Sequence, residues 1–182
     1  MPLLLIDLDD SLIDRNASFA AWARAFCAEK GREPDVDWLI ATDRRGYAER
    51  GELFELVRER FGLADSVEEL KEAYRAAHPA YVEPPPADAL RLLRGLRVVS
   101  EIEGVRKPDA AIFRLAAERC GSTLDGAWMA GDNPDADLRG AHALGLRTIW
   151  FRLGRTWTEP DFVPTVEVDS LEEALTHLAQ LP

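Results

Sequence analysis

The stretch Asp7-Leu8-Asp9-Asp10-Ser11-Leu12 puts three carboxylates and a hydroxyl directly behind the apolar run Leu3-Leu4-Leu5-Ile6. Residues two apart on a strand share a face, which would aim Asp7 and Asp9 into one crevice. Paired carboxylates repel each other unless a proton or a cation lies between them. Mg²⁺ suits such a pair, because it takes a few hard oxygens and keeps several waters. One carboxylate can then attack a phosphorus centre while the other manages a proton. A plain acidic turn would read the same way, so this stretch does not decide alone.

Two further stretches carry compatible chemistry. In Trp128-Met129-Ala130-Gly131-Asp132-Asn133-Pro134-Asp135-Ala136-Asp137 an apolar strand again stops at an acidic loop. Gly131 lets the backbone approach a ligand closely. Asp132 is the next candidate metal ligand, and Asp137, five residues on, is placed to order a metal-bound water. Asp135 needs no more explanation than the positive end of a helix. In Arg106-Lys107-Pro108-Asp109, Lys107 directly precedes a helix expected to open at Pro108 and run to Cys120. Its ammonium and the helix N-terminus both favour an anion there, so Lys107 could neutralise Asp7 and a bound phosphoryl group.

The elements that must hold these residues follow from the hydrophobic pattern. Leu3–Ile6 and Ala127–Ala130 are short unbroken apolar runs, as in buried strands of a parallel sheet, and ligands bind at the C-terminal ends of such strands. Between Ser11 and Gly95 only helical patterns occur: one capped by Asn16 and stopped at Gly31, Asp37–Ala41, Glu52–Phe61, one boxed by Ser66 and Glu69, and Ala87–Arg94 after Pro84-Pro85-Pro86. Residues 15–83 therefore read as an inserted α-helical cap, and 1–14 with 84–182 as an α/β core. In that core, strands are expected at Leu96–Ser100 and Arg147–Phe151, and helices at Ala136–Leu144 and Leu171–Leu181.

Together these stretches resemble the haloacid dehalogenase (HAD) superfamily, most of whose members are phosphatases. The matching pieces are Asp7-x-Asp9-x-Ser11, Lys107-Pro108, and Gly131-Asp132 with Asp137, in the family's order and spread over nearly the whole chain. The resemblance implies a three-layer Rossmann-like parallel sheet with a small helical cap and bound Mg²⁺. It makes Asp7 the nucleophile and Asp9 the general acid/base that also offers its carbonyl to the metal. Asp132 is then a metal ligand and Lys107 the brace on Asp7 and phosphate, with Ser11 and Asp137 in supporting places. An acid at position 9 marks phosphatases rather than dehalogenases. The expected activity is hydrolysis of small phosphomonoesters through an aspartyl-phosphate. A catalytically impaired relative that binds a phosphorylated ligand or a protein partner is the alternative, and a haloacid dehalogenase ranks below both.

The chain departs from the family in one place. Lys107 comes only seven residues after Ser100, where a crossover helix and strand would need roughly 30. The core reads as shortened by one βα unit. Leu96–Ser100 then fills either the second-strand slot, with Ser100 as the phosphate-binding hydroxyl, or the tail of the third strand without it. Packing beside the first strand favours the former. A sheet edge left bare in this way would suit a homodimer that covers it.

Composition bounds the partners. The chain has 182 residues and a net charge of −11, a field that repels nucleic acid and anionic membranes. No apolar run is long enough for a span or signal peptide, and a cytoplasmic location is expected. Cys27 and Cys120, the only cysteines, sit in helical patterns and read as small buried hydrophobes. Arg44, Arg45 and Arg50 fall in an inter-helix loop and read as solvated rather than substrate-binding.

Overall fold

The structure is a computed structural model that describes residues 3–85, 87 and 104–180. It divides into two compact units, Met1–Leu12 with Pro85–Pro182, and Ile13–Pro84. The expected helix Ala87–Arg94, strand Leu96–Ser100 and sheet edge lie outside the described residues, apart from Ala87.

The first unit is built on four parallel strands in the order β1 (Leu4–Ile6), β2 (Trp128–Gly131), β3 (Arg147–Phe151) and β4 (Val166–Val168). Alternate side chains explain why these strands carry no polar alternation. Leu5 and Met129 face a layer with Ile112, Phe113, Ala141 and Leu146, whereas Leu4, Ile6, Trp128 and Ala130 join Ile149 and Phe151 of β3 on the face that meets Ala174 and Leu178. Both faces are therefore covered, which is the condition for a parallel sheet. One layer comes from α5 (Ala110–Arg119) and α6 (Gly140–Ala143), the other from α7 (Leu171–Ala179). β4 has no counterpart among the sequence expectations; three residues between Pro164 and Asp169 are too few to show a period.

The second unit is helical: α1 (Arg15–Glu29), α2 (Val36–Asp43), α3 (Arg50–Phe61) and α4 (Val67–Ala77). Its core joins Phe19, Trp22, Cys27, Leu39, Leu53, Phe54 and Val57. The Ser66–Glu69 capping box forms as expected. Asp14, not Asn16, caps α1, its carboxylate accepting from the Ala17 amide at 2.8 Å. Arg50 and Arg44 are not simply solvated: Arg50 pairs with buried Asp43 at 2.7 Å and Arg44 with Glu52 at 3.3 Å. Cys27 is buried, but Cys120 is exposed because α5 ends one residue before it. Among the described residues no helix is long and apolar enough to cross a membrane.

Candidate active site

Asp7 follows β1 immediately, and its amide donates to the Ala130 carbonyl at 2.9 Å, so the two strand ends stay in register up to the site. Asp132 follows β2 in the same way. The next six residues, Pro134–Arg139, form a π-helix rather than the α-helix expected from Ala136 onward. Asn133 starts it: its side-chain oxygen accepts from the amides of Asp135 and Ala136, both at 3.0 Å. The wider turn folds Asp137 back over Gly131, and the Asn133 amide donates to Asp137 Oδ2 at 3.1 Å. A Cβ on Gly131 would lie 2.5 Å from the Asp137 carboxyl carbon, so only glycine leaves room for this carboxylate. Widened turns of this kind are concentrated at functional sites.

Lys107 arrives from a separate turn. α5 begins at Ala110 with Asp109 as its cap, so Lys107 stands three residues outside the helix instead of directly before it; Asp109, which is fit to cap, takes the place expected to be helical. Gly140 fixes this turn against the helical segment, since a Cβ there would meet the Pro108 carbonyl oxygen at 2.6 Å. The ammonium reaches both Asp7 Oδ1 and Asp137 Oδ1, the latter at 2.5 Å.

Asp7, Asp132 and Asp137 thus offer carboxylate oxygens within 4.8 Å of one another, a group able to hold a metal ion. Asp132 is 7% exposed and Asp137 1%. Burial, above all, pushes the Asp132 carboxyl up to about 6, against the pull of Arg155 and with the help of the Asp10 and Asp7 charges. Burial and then the Asp7 charge push Asp137 upward, against Lys107. Burial also works against the Lys107 ammonium, but Asp137 and Asp7 outweigh it and hold the amine above its ordinary value. Burial comes first in each shift, and the sharing of the Lys107 and Arg155 cations among three carboxylates adds to it on the two buried acids. A hard divalent cation among these oxygens would offset their charge, so the residues present fit Mg²⁺.

Asp7, Lys107, Asp132 and Asp137 are therefore brought together. Asp9 lies outside that acidic group and is exposed. β1 ends at Ile6, and the chain turns from Leu8 onward with Asp10 at φ 56°, so the shared-face geometry expected of Asp7 and Asp9 does not apply. Ser11 is buried, with no partner for its hydroxyl among the described residues. Ser100 lies outside the described residues. Sequence reasoning passed over Arg155, which donates to the Asp132 carbonyl at 2.6 Å and to its Oδ2 at 3.1 Å. The only signal for it was its place in the loop after a strand, the side of the sheet where sites form. Trp150 and Trp157 pack against each other, and Trp150 also donates to the Asp132 carbonyl at 3.1 Å.

A parallel sheet covered on both faces, with acidic residues and a lysine gathered at its strand ends, makes a HAD-like α/β fold. Residues 104–174 match the family described as HAD-hydrolase-like. The chain is 37% identical over 78 residues to a phosphoserine phosphatase of Thermus thermophilus, covering 43% of this chain and 31% of that protein. It is 40% identical over 88 residues to a glyceraldehyde 3-phosphate phosphatase of Methanopyrus kandleri, covering 46% of this chain and 38% of the relative. The chain thus spans roughly a third of the length of these relatives (31% and 38%). The magnesium-bound HAD-hydrolase YfnB of Bacillus subtilis shares the fold, with a TM-score of 0.69 at 21% identity over 99% of both chains.

Proposed function

We propose that the chain is a Mg²⁺-dependent phosphatase that hydrolyses small phosphomonoesters through an aspartyl-phosphate on Asp7. The observation that carries this reading is the ion pair of Lys107 with Asp7, set in a group of three carboxylates at the strand ends. The phosphatase names of the relatives support the same class of reaction.

In the first step an Asp7 carboxylate oxygen attacks phosphorus. The ester P–O bond breaks, and the leaving oxygen takes a proton from Asp9. In the second step Asp9, now a carboxylate, accepts a proton from water as that water attacks the phosphorus. The bond to Asp7 breaks, and inorganic phosphate leaves. Lys107 holds the Asp7 carboxylate in place and offsets charge on the transferring group. Asp137 in turn holds Lys107. Asp7, Asp132 and the Asp9 carbonyl would hold Mg²⁺, which when bound would supply the charge neutralisation that lets an anionic nucleophile approach a phosphate. Ser100 is assigned the phosphate-binding hydroxyl.

The test is phosphate release from p-nitrophenyl phosphate with and without Mg²⁺. Release should require the metal, and Asp7→Asn should fall to background, because an amide does not attack phosphorus. Turnover by Asp7→Asn at the unaltered rate would refute the nucleophile.

A further inference from the structure

Among the described residues, Arg155 is the one cation in the site that the mechanism above does not use. Its Nη2 donates to two oxygens of the same residue, the Asp132 carbonyl at 2.6 Å and Asp132 Oδ2 at 3.1 Å. Trp150 Nε1 meets that carbonyl from its own side. Main chain and side chain of Asp132 are thus held by one guanidinium, while Lys107 serves Asp7 and Asp137.

Arg155 is itself held rigidly. Its Nε donates to the Arg152 carbonyl at 2.9 Å, its Nη2 also reaches the Phe151 carbonyl at 3.1 Å, and its guanidinium lies 5.5 Å over the Trp150 ring. The loop that carries it is fastened further on. Trp157 Nε1 donates to the Glu159 and Phe162 carbonyls, and Arg139 of the π-helix pairs with Glu159 and with Asp161 at 3.2 Å. The segment bearing Asp137 and the loop bearing Arg155 are therefore tied to each other through Arg139.

We propose that Arg155 is the positioning residue of Asp132: it presets this carboxylate for the divalent cation and so governs how tightly the site takes metal. The inference rests on the metal-site reading above. Groups that orient a metal ligand typically change affinity by about 10- to 100-fold when removed. One nitrogen of the guanidinium serves both Asp132 oxygens while Nε of the same rigid plane is fixed on the Arg152 carbonyl, an anchor that an ammonium on a flexible stem lacks.

The test uses Mn²⁺ as probe, its free ion counted by electron paramagnetic resonance in titrations of the whole chain. Arg155→Met keeps a side chain to cover Trp150 and should weaken Mn²⁺ binding at least about tenfold. Arg155→Lys should fall between Met and the unaltered protein, and it serves where the methionine variant does not fold. With p-nitrophenyl phosphate, half-saturation by Mg²⁺ should rise by the same factor while kcat at saturating Mg²⁺ stays within about threefold, a split that general loosening of the fold would not produce. Unchanged or tighter Mn²⁺ binding in a folded variant overturns the inference. Failure of the unaltered protein to bind Mn²⁺ overturns the metal site itself, and this inference with it.

Discussion

Close approach decides the site at the scale of single residues. Gly131 ends β2, and the Asp137 carboxylate occupies the space that any other side chain would need. Gly131→Ala would place its Cβ 2.7 Å from the Asp137 Cβ, an atom near the main chain that cannot swing aside. Such overpacking costs about 1–3 kcal/mol. It would also push Asp137 off Lys107, whose ammonium then bears on Asp7 alone. We expect Gly131→Ala to lower the melting temperature and to reduce phosphate release by at least about tenfold, a loss of some 1.4 kcal/mol in transition-state stabilisation. Thermal melts and rate assays read the two effects separately, and an alanine variant equal to the unaltered protein in both would contradict the geometry.

At the scale of elements, the residues legible in the sequence are those at the ends of regular structure. Asp7 and Asp132 announce themselves because an apolar strand stops at each, and β3 coincides with its expected bounds at Arg147–Phe151. What could not be read is set by irregular backbone: the π-turn that aims Asp137, the turn of Lys107 outside α5, and the loop that delivers Arg155. Turns of this kind have no period, and long-range partners fix them. The cap unit shows the same rule. Arg44 and Arg45 both hold left-handed φ, 50° and 59°, a strain of roughly 1–3 kcal/mol each. Asp43 maintains it: the carboxylate, 1% exposed, takes the Arg15 guanidinium, Arg50 at 2.7 Å and the Gly46 amide at 2.8 Å. Burial alone would raise the Asp43 carboxyl, but Arg15 and Arg50 hold it below its ordinary value. Asp43→Ala strands the buried Arg15 charge and should cost about 3–5 kcal/mol. Glu52→Ala, which removes only the exposed partner of Arg44, should cost under about 1 kcal/mol. Urea denaturation followed by tryptophan fluorescence compares them, Trp22 and Trp38 reporting from this unit; equal midpoints would remove Asp43 from its place as anchor.

At the scale of the whole molecule, the chain carries a net charge of −11, and three of its carboxylates meet at the strand ends, two of them buried. Asp132 is raised from an ordinary 3.8 to about 6. A carboxyl raised on folding stabilises the folded state in its protonated form, so the benefit is present below pH ~4 and is lost as pH climbs through about 6. That loss is on the order of 3 kcal/mol for the metal-free chain, at 1.36 kcal/mol per pH unit. A divalent cation takes the ionised carboxylate and restores the stability from the other side, because metal binding releases the proton. The stabilisation by Mg²⁺ should therefore grow with pH: small at pH 5, and about 2.7 kcal/mol at pH 7.5 when the ion is at 100 times its dissociation constant. Carboxylates away from the ion contribute equally with and without Mg²⁺, so the difference between the two melts at matched ionic strength removes them. Asp132→Asn, which cannot ionise, should show little Mg²⁺ shift at either pH. A shift of equal size at pH 5 and pH 7.5 in the unaltered chain would mean that the buried carboxylates do not take the ion, and the charge balance drawn for the site would have to be abandoned.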